Sequence, residues 1–213
     1  PAALGLAKLS HGQAWLHVQD FEVDAAFDMG LLRAGWIRKF VLLVEGWLMQ
    51  KFDTVSTISA RMLDKLKDKN IDQSRCVHFP NWVDTDSIYP MLQASAYRNE
   101  LGIASNELVL LYSGNMGQKQ GLEIVIEAAR RLESESNIRF VLCGQGSAYE
   151  KLYAMAAGLK NVLWLPLQPM HRLNELLNLA DIHLLPQRSD VADLVMPSKL
   201  TGILASGKPS PGF

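Results

Sequence analysis

Cysteine is nearly absent. Only Cys76 and Cys143 occur in 213 residues, with no CxxC pair and no histidine at metal-ligand spacing. That excludes a disulfide framework and a thiolate metal site. The two read as buried thiols of a reducing compartment. Net charge is equally scarce, since 21 Lys+Arg against 22 Asp+Glu leave −1. Such a chain has no general pull on nucleic acid or on an anionic surface. An unbroken apolar run is missing too. The longest apolar stretch, residues 31–49, is interrupted by Arg33, Arg38, Lys39 and Glu45, so it cannot span a bilayer as a helix. Neither GxGxxG nor GxxxxGK[ST] is present, which demotes NAD and P-loop nucleotide binding. There is no internal repeat and no low-complexity tract.

What is present is the composition of a folded protein, with 48% hydrophobic and 20% charged residues. The first residue is Pro1, and Lys208-Pro-Ser-Pro-Gly-Phe213 follows a helical pattern. Both ends read as cut rather than native, and a signal peptide cannot be judged from such a start. Residues 14–19 read as a buried strand. Residues 31–52 read as an amphipathic helix from Trp36, Ile37, Phe40, Val41, Val44, Trp47 and Leu48 at spacings of three and four. Core packing is its default role, and a membrane-surface role is the alternative raised by its Trp and Arg/Lys mixture. A strand at 53–59, a helix capped by Ser59 and a strand at 75–79 follow. Pro80-Asn-Trp-Val-Asp84 is turn chemistry and reads as a linker.

Beyond it the pattern is regular. Strands are expected at 108–112, 138–143, 162–165 and 182–185, and helices at 122–132, 148–157, 173–179 and 198–205. Apolar strands alternating with amphipathic helices predict an α/β fold with a parallel sheet covered on both faces. Ligands of such sheets bind beyond the C-terminal strand ends, near the switch in strand order. Attention therefore falls on the loops 113–121, 144–147, 166–171 and 186–199. The first carries Gly114, Asn115, Met116, Gly117, Lys119 and Gly121. Free amides at the following helix start and the charge of Lys119 suit a phosphate or diphosphate. A tight turn with nothing bound is the plain alternative. Gly144-Gln145-Gly146 lets backbone run close to a ring or phosphate, which alone is weak punctuation. The last loop holds Arg188, Asp190, Asp193, Pro197, Ser198 and Lys199, and a lysine in a helix's first turn calls for an anion nearby. Of five histidines, His78 and His183 read as core. His17, at a strand end with Gln19 and Asp20, is a site candidate.

The order of motifs carries a resemblance. Ser113-Gly-Asn-Met-Gly-x-x-x-Gly-Leu-Glu123 is followed by Leu142-Cys-Gly-Gln-Gly146 and Asn161-Val-Leu-Trp-Leu165. Ala180-Asp-Ile-His-Leu-Leu-Pro186, Met196-Pro-Ser-Lys-Leu200 and Ala205-Ser-Gly-Lys-Pro209 close the series. Together they resemble the donor-binding lobe of GT-B glycosyltransferases of family 4. His17-Val-Gln-Asp20 and Phe21-Glu-Val-Asp24 are similar to the branch of colanic-acid-type (fucosyl) transferases.

The resemblance implies a GT-B fold, with residues 1–84 as part of an acceptor-side lobe and 85–213 as a nucleotide-sugar-binding Rossmann-like lobe lacking its last strand and return helix. Such a piece alone is expected to be inactive. The implied chemistry is transfer, with retention, of a sugar from a nucleotide-diphosphate donor (GDP-fucose by the branch) to a glycan or lipid-linked acceptor in exopolysaccharide synthesis. The implied setting is cytoplasmic, with peripheral contact at the inner membrane face. No metal or other cofactor and no nucleic acid is expected.

Lys199 and Lys119 would hold phosphate with Gly114, Asn115, Met116, Gly117, Pro197 and Ser198. Gly144, Gln145 and the 166–168 backbone would face the base, Asp193 the sugar, and His17 and Asp20 the acceptor. The chain departs from the family at Asn115 and Gln120, where Arg and Lys are usual, and at Leu194 and Gly202, where two glutamates are usual. A catalytically inactive GT-B binding domain and a sugar-nucleotide epimerase are the competing readings.

Overall fold

The structure, a computed structural model, describes residues 2–21, 35–186 (Lys119 by its backbone only) and 198–210. They form two compact units, the first ending at Asn81 and the second beginning at Trp82.

In the first unit, α1 (Ala2–Leu9) precedes β1 (Trp15–Val18), α2 (Gly35–Met49), β2 (Thr54–Thr57), α3 (Ala60–Asp68) and β3 (Cys76–His78). The strands are parallel in the order β1-β2-β3. β-branched Thr54, Val55 and Thr57 suit a pleated surface buried on both sides. Val18, Phe21, Met49, Val55, Met62 and Leu66 form the core. Ser59 starts α3 as its composition suggests, its Oγ accepting the Met62 N–H at 3.3 Å.

The second unit holds α4 (Tyr97–Glu100), β4 (Leu108–Ser113), α5 (Glu123–Arg131), β5 (Ile138–Cys143), α6 (Tyr149–Met155), β6 (Val162–Leu165), α7 (Leu173–Leu179), β7 (Ile182–His183) and α8 (Lys199–Ala205). Its sheet is parallel in the order β6-β5-β4-β7. Alternation along the strands feeds two cores. Tyr112, Phe140 and Leu142 pack with Ile126 and Leu152 on one face, while Val109, Leu111, Val141 and Cys143 pack with Leu176 and Leu179 on the other. At the N-terminal strand ends, the Asp181 carboxylate accepts the Val109 N–H at 2.8 Å and pairs with Arg98 at 2.6 Å. The chain runs outward from β4 to β5 and β6, then returns to β7 on β4's other side. The order therefore switches between β4 and β7, where an open α/β sheet parts to admit a ligand.

Several expectations are corrected. β7 ends at His183 rather than Leu185, although the Leu184 N–H still reaches Leu111 O at 2.7 Å. His78 is exposed and not a core residue, because it lies at the end of a three-residue strand with its Nε2 at 3.2 Å from Ile58 O. Cys76 is only half-buried, whereas Cys143 is buried. The 113–121 loop does not open α5 directly. A 3-10 turn at Gln118–Gln120 and a left-handed Gly121 intervene.

Candidate functional site

The C-terminal ends of β4 and β5 approach so closely that side chains are excluded between them. A Cβ on Gly144 would lie 1.9 Å from the Gly114 carbonyl oxygen, and Gly144 has φ +145°. Gly114, at φ +139°, is crowded from above, since a Cβ there would lie 2.4 Å from Lys199 Nζ. The positive φ favours glycine at both positions, and at Gly144 the Gly114 backbone leaves no room for a Cβ either, whereas at Gly114 the neighbour is the flexible end of Lys199. The Gly114 N–H donates to Cys143 O at 2.8 Å and the Met116 N–H to Gln145 O at 2.8 Å, tying the two loops edge to edge.

Lys199, the first residue of α8, reaches back over the β4 end. Its Nζ donates to the Tyr112 hydroxyl at 2.9 Å and sits 4.2 Å from that ring's centroid. The Tyr112 hydroxyl in turn donates to Asn115 O. Burial strips water from both groups. It pushes the Lys199 ammonium down to about 8 and the Tyr112 phenol upward, so the phenol stays neutral. Among the described residues no carboxylate pairs with Lys199. A partly desolvated cation held by a neutral hydroxyl and a ring retains most of its attraction for an incoming anion.

The loop amides are more occupied than expected. Besides Gly114 and Met116, the Gly117 N–H is taken by Gln120 Oε1 at 3.0 Å. The amides of Asn115 and Gln118 are without a partner among the described residues. Met116 is corrected most strongly. Its side chain is fully buried in the core and its carbonyl accepts the Ala148 N–H at 2.9 Å, so it anchors the loop and offers a ligand nothing. Gly117 has φ −95° and owes nothing to left-handed backbone.

Gln145, next to Gly144, and Ser198, next to Lys199, are exposed. Pro166 O accepts Cys143 Sγ at 3.2 Å and Gln168 Nε2 at 2.8 Å, while Gln168 Oε1 accepts the Tyr97 hydroxyl at 2.7 Å. The 166–168 segment is thereby fixed beside β5. Asp193 and Pro197, with Arg188 and Asp190, lie outside the described residues.

His17 and Asp20 belong to the first unit. His17 is exposed, its Nδ1 2.9 Å from Ser56 Oγ and its ring edge-on to Phe79 at 5.5 Å. Ser56 is fully buried and also accepts Trp15 Nε1–H at 2.7 Å. Asp20 is half-buried just past β1. Tyr112 was not legible as a site residue. A tyrosine at an inward position of an apolar strand reads as core, and its one signal is its place beside Ser113-Gly114. Among the described residues no group of His, Cys, Asp and Glu is arranged to hold a metal ion.

Residues 93–210 match the family of glycosyl transferases group 1. The chain belongs to that family. It is 42% identical over 209 residues to Escherichia coli (strain K12) WcaI, described as a colanic acid biosynthesis glycosyl transferase, covering 95% of this chain and 51% of the relative. It is 20% identical to the alpha-galactosylglucosyldiacylglycerol synthase of Streptococcus pneumoniae (strain ATCC BAA-255 / R6), covering 83% of this chain and 48% of that protein.

The chain thus spans about half the length of the curated relatives it matches. Among solved structures, Anabaena HepE in complex with UDP and glucose matches with TM-score 0.76 at 15% identity, over 97% of this chain and 54% of that one. Sucrose-phosphate synthase from Thermosynechococcus elongatus matches with TM-score 0.71 at 16% identity, over 95% and 51%. These likenesses carry the GT-B fold, and the paired parallel sheets of this group 1 chain agree with it.

Proposed function

We propose that the chain is the working part of a glycosyltransferase that moves a sugar from a nucleotide-diphosphate donor to a glycan or lipid-linked acceptor of bacterial exopolysaccharide synthesis, with retention of configuration. The observation that carries this is the convergence of Lys199 with the Gly114 and Gly144 backbone at the switch point of the second sheet. The likeness to WcaI supports the acceptor class, and the UDP held by HepE supports a nucleotide donor.

In this reading residues 85–213 bind the donor and 1–84 contribute to the acceptor side. As the C1–oxygen bond breaks, its electron pair passes to the leaving diphosphate. Lys199 and the Asn115 and Gln118 amides meet that growing charge where it forms, and Lys119 adds to them. The acceptor hydroxyl oxygen bonds to C1 and passes its proton to the departing diphosphate oxygen. Gly144, Gln145 and the 166–168 backbone face the base, Ser198 and Pro197 flank the phosphate, Asp193 faces the sugar, and His17 and Asp20 face the acceptor. No resident metal or cofactor takes part, and GDP-fucose is the donor suggested by the branch. The protein works in the cytoplasm, at the inner face of the membrane.

Calorimetric titration of the chain with GDP, UDP, ADP and their sugars tests this. One nucleotide diphosphate should bind, and Lys199→Ala should weaken it by roughly ten- to a hundredfold, the worth of a charge-assisted hydrogen bond. Binding by none of them, or unaltered affinity in the variant, removes the reading.

A further inference from the structure

Ser56 is a hydroxyl at a position that packing alone would give to an apolar side chain. It lies on β2, the central strand of the first unit's sheet, and has no exposed surface. The register pairs it directly with His17 of β1, and Trp15 lies two residues back on the same side of the sheet. Val18 and Val55 turn the other way, into the core. Three side chains thus meet on the face away from that core. The Trp15 Nε1–H donates to Ser56 Oγ at 2.7 Å, and His17 Nδ1 lies 2.9 Å from the same oxygen. Phe79, just past β3, meets the imidazole edge-on at 5.5 Å.

Counting protons decides the form of the imidazole. An indole nitrogen only donates, so Trp15 occupies a lone pair of Ser56. The Ser56 hydroxyl still has its own proton to donate, and among the described residues His17 Nδ1 is the partner that can accept it. A proton on Nδ1 would aim two N–H groups at one buried oxygen and leave the hydroxyl proton unpaired, a bias of roughly tenfold or more against that form. Nδ1 therefore carries the lone pair and Nε2 the proton. Among the described residues Nε2 has no partner, and the side chain is exposed.

Resting on the reading that His17 faces the acceptor, we infer that Ser56 is a positioning residue of the acceptor side. It fixes His17 as the Nε2–H tautomer, so the imidazole meets the acceptor glycan as a hydrogen-bond donor to one of its oxygens and not as a base. A carbohydrate suits such a group. Its hydroxyl and ring oxygens accept from Nε2–H, while Trp15, 58% exposed, adds apolar ring surface for the C–H face of a sugar. A base is not needed here, because the acceptor proton leaves on the diphosphate. A donor fixed before the sugar arrives also loses less freedom on binding than a ring free to turn.

NMR of the chain labelled with nitrogen-15 histidine tests this, with His17→Gln assigning the signals. In alkaline buffer the unaltered chain should show a pyridine-type Nδ1 and a pyrrole-type Nε2 for His17. Ser56→Ala should move both toward the averaged shifts of free histidine. Ser56→Thr, which returns the hydroxyl, should restore them. Colanic acid oligosaccharides should shift the Nε2 signal and bind Ser56→Ala about tenfold more weakly than the unaltered chain. Thermal melts check that the variants fold. Should one not fold, a slowly exchanging Ser56 hydroxyl proton with a cross-peak to His17 Nδ1 in the unaltered chain decides instead.

A pyrrole-type Nδ1 overturns the inference, as does a mixture of tautomers in the unaltered chain or an unchanged spectrum in Ser56→Ala. The expected tautomer with an Nε2 signal that ignores the oligosaccharides overturns instead the acceptor placement of His17 on which the inference rests. Nucleotide titration of the same sample reports on the donor site alone and moves with neither result.

Discussion

The Tyr112 hydroxyl bridges α8 and the 113–121 loop, accepting from Lys199 Nζ at 2.9 Å and donating to Asn115 O. Removing that oxygen alone leaves the ring beneath the ammonium but frees Lys199 to rotate. Tyr112→Phe should therefore weaken nucleotide-diphosphate binding by about tenfold, less than loss of the cation itself, with the fold retained. Calorimetry on the two variants side by side measures the difference. Equal affinity in Tyr112→Phe and the unaltered chain would assign the hydroxyl to packing only.

The depressed Lys199 value sets a pH signature. Below about pH 8 the ammonium is charged and binds an anion, and above it the charge is lost. Affinity should fall as pH rises through 8. A bound diphosphate restores the charged form, so binding near pH 8.5 should take up a proton, visible as a buffer-dependent heat.

The same group burdens the folded chain. An unfolded lysine keeps its ordinary value near 10.5, so the destabilisation is fully present below pH 8 and is relieved between about 8 and 10.5. Lys199→Met should accordingly raise the melting temperature at pH 7, by about 2–4 °C for each kcal/mol recovered, while losing anion binding.

Two glycines should respond oppositely. Gly144→Ala drives a Cβ into the Gly114 carbonyl at a backbone angle alanine avoids, and should cost more than about 2 kcal/mol in urea unfolding. Gly202, in the interior of α8, would place a Cβ no closer than 3.5 Å from Leu177 Cδ1. Gly202→Ala should stabilise the chain by about 0.5–1 kcal/mol.

His183 is buried with its Nε2 at 3.0 Å from Leu177 O, and burial holds its imidazole down at about 4. Its contribution to stability is complete above about 6.5 and is lost as pH falls toward 4. His183→Gln should flatten that part of the stability profile in acid titrations followed by circular dichroism.

The parallel sheet of the second unit was readable because its strands are unbroken apolar runs. Ile138–Cys143 and Val162–Leu165 fall where the pattern puts them, and Ser59 announces α3 by chemistry alone. β7 was overestimated because Leu184 and Leu185 continue the apolar run, while hydrogen bonding, not hydrophobicity, ends a strand. The site was legible as loops and glycines but not as contacts. Lys199 meets Tyr112 across 87 positions of chain, and no local spacing encodes that meeting. Met116 misled for the same reason, since a residue inside a glycine-rich loop reads as solvent-facing until the core beneath it is seen. Asp193 falls outside the described residues, and its part stays with the proposed function.

Met116 also shapes the thermodynamics of binding. With its thioether sunk among Tyr112, Leu122 and Leu152 and both its backbone groups engaged, the 114–117 bend is set before any guest arrives. An anion docking there has little chain entropy to quench, so its affinity should survive heating better than that of a pocket assembled around its ligand.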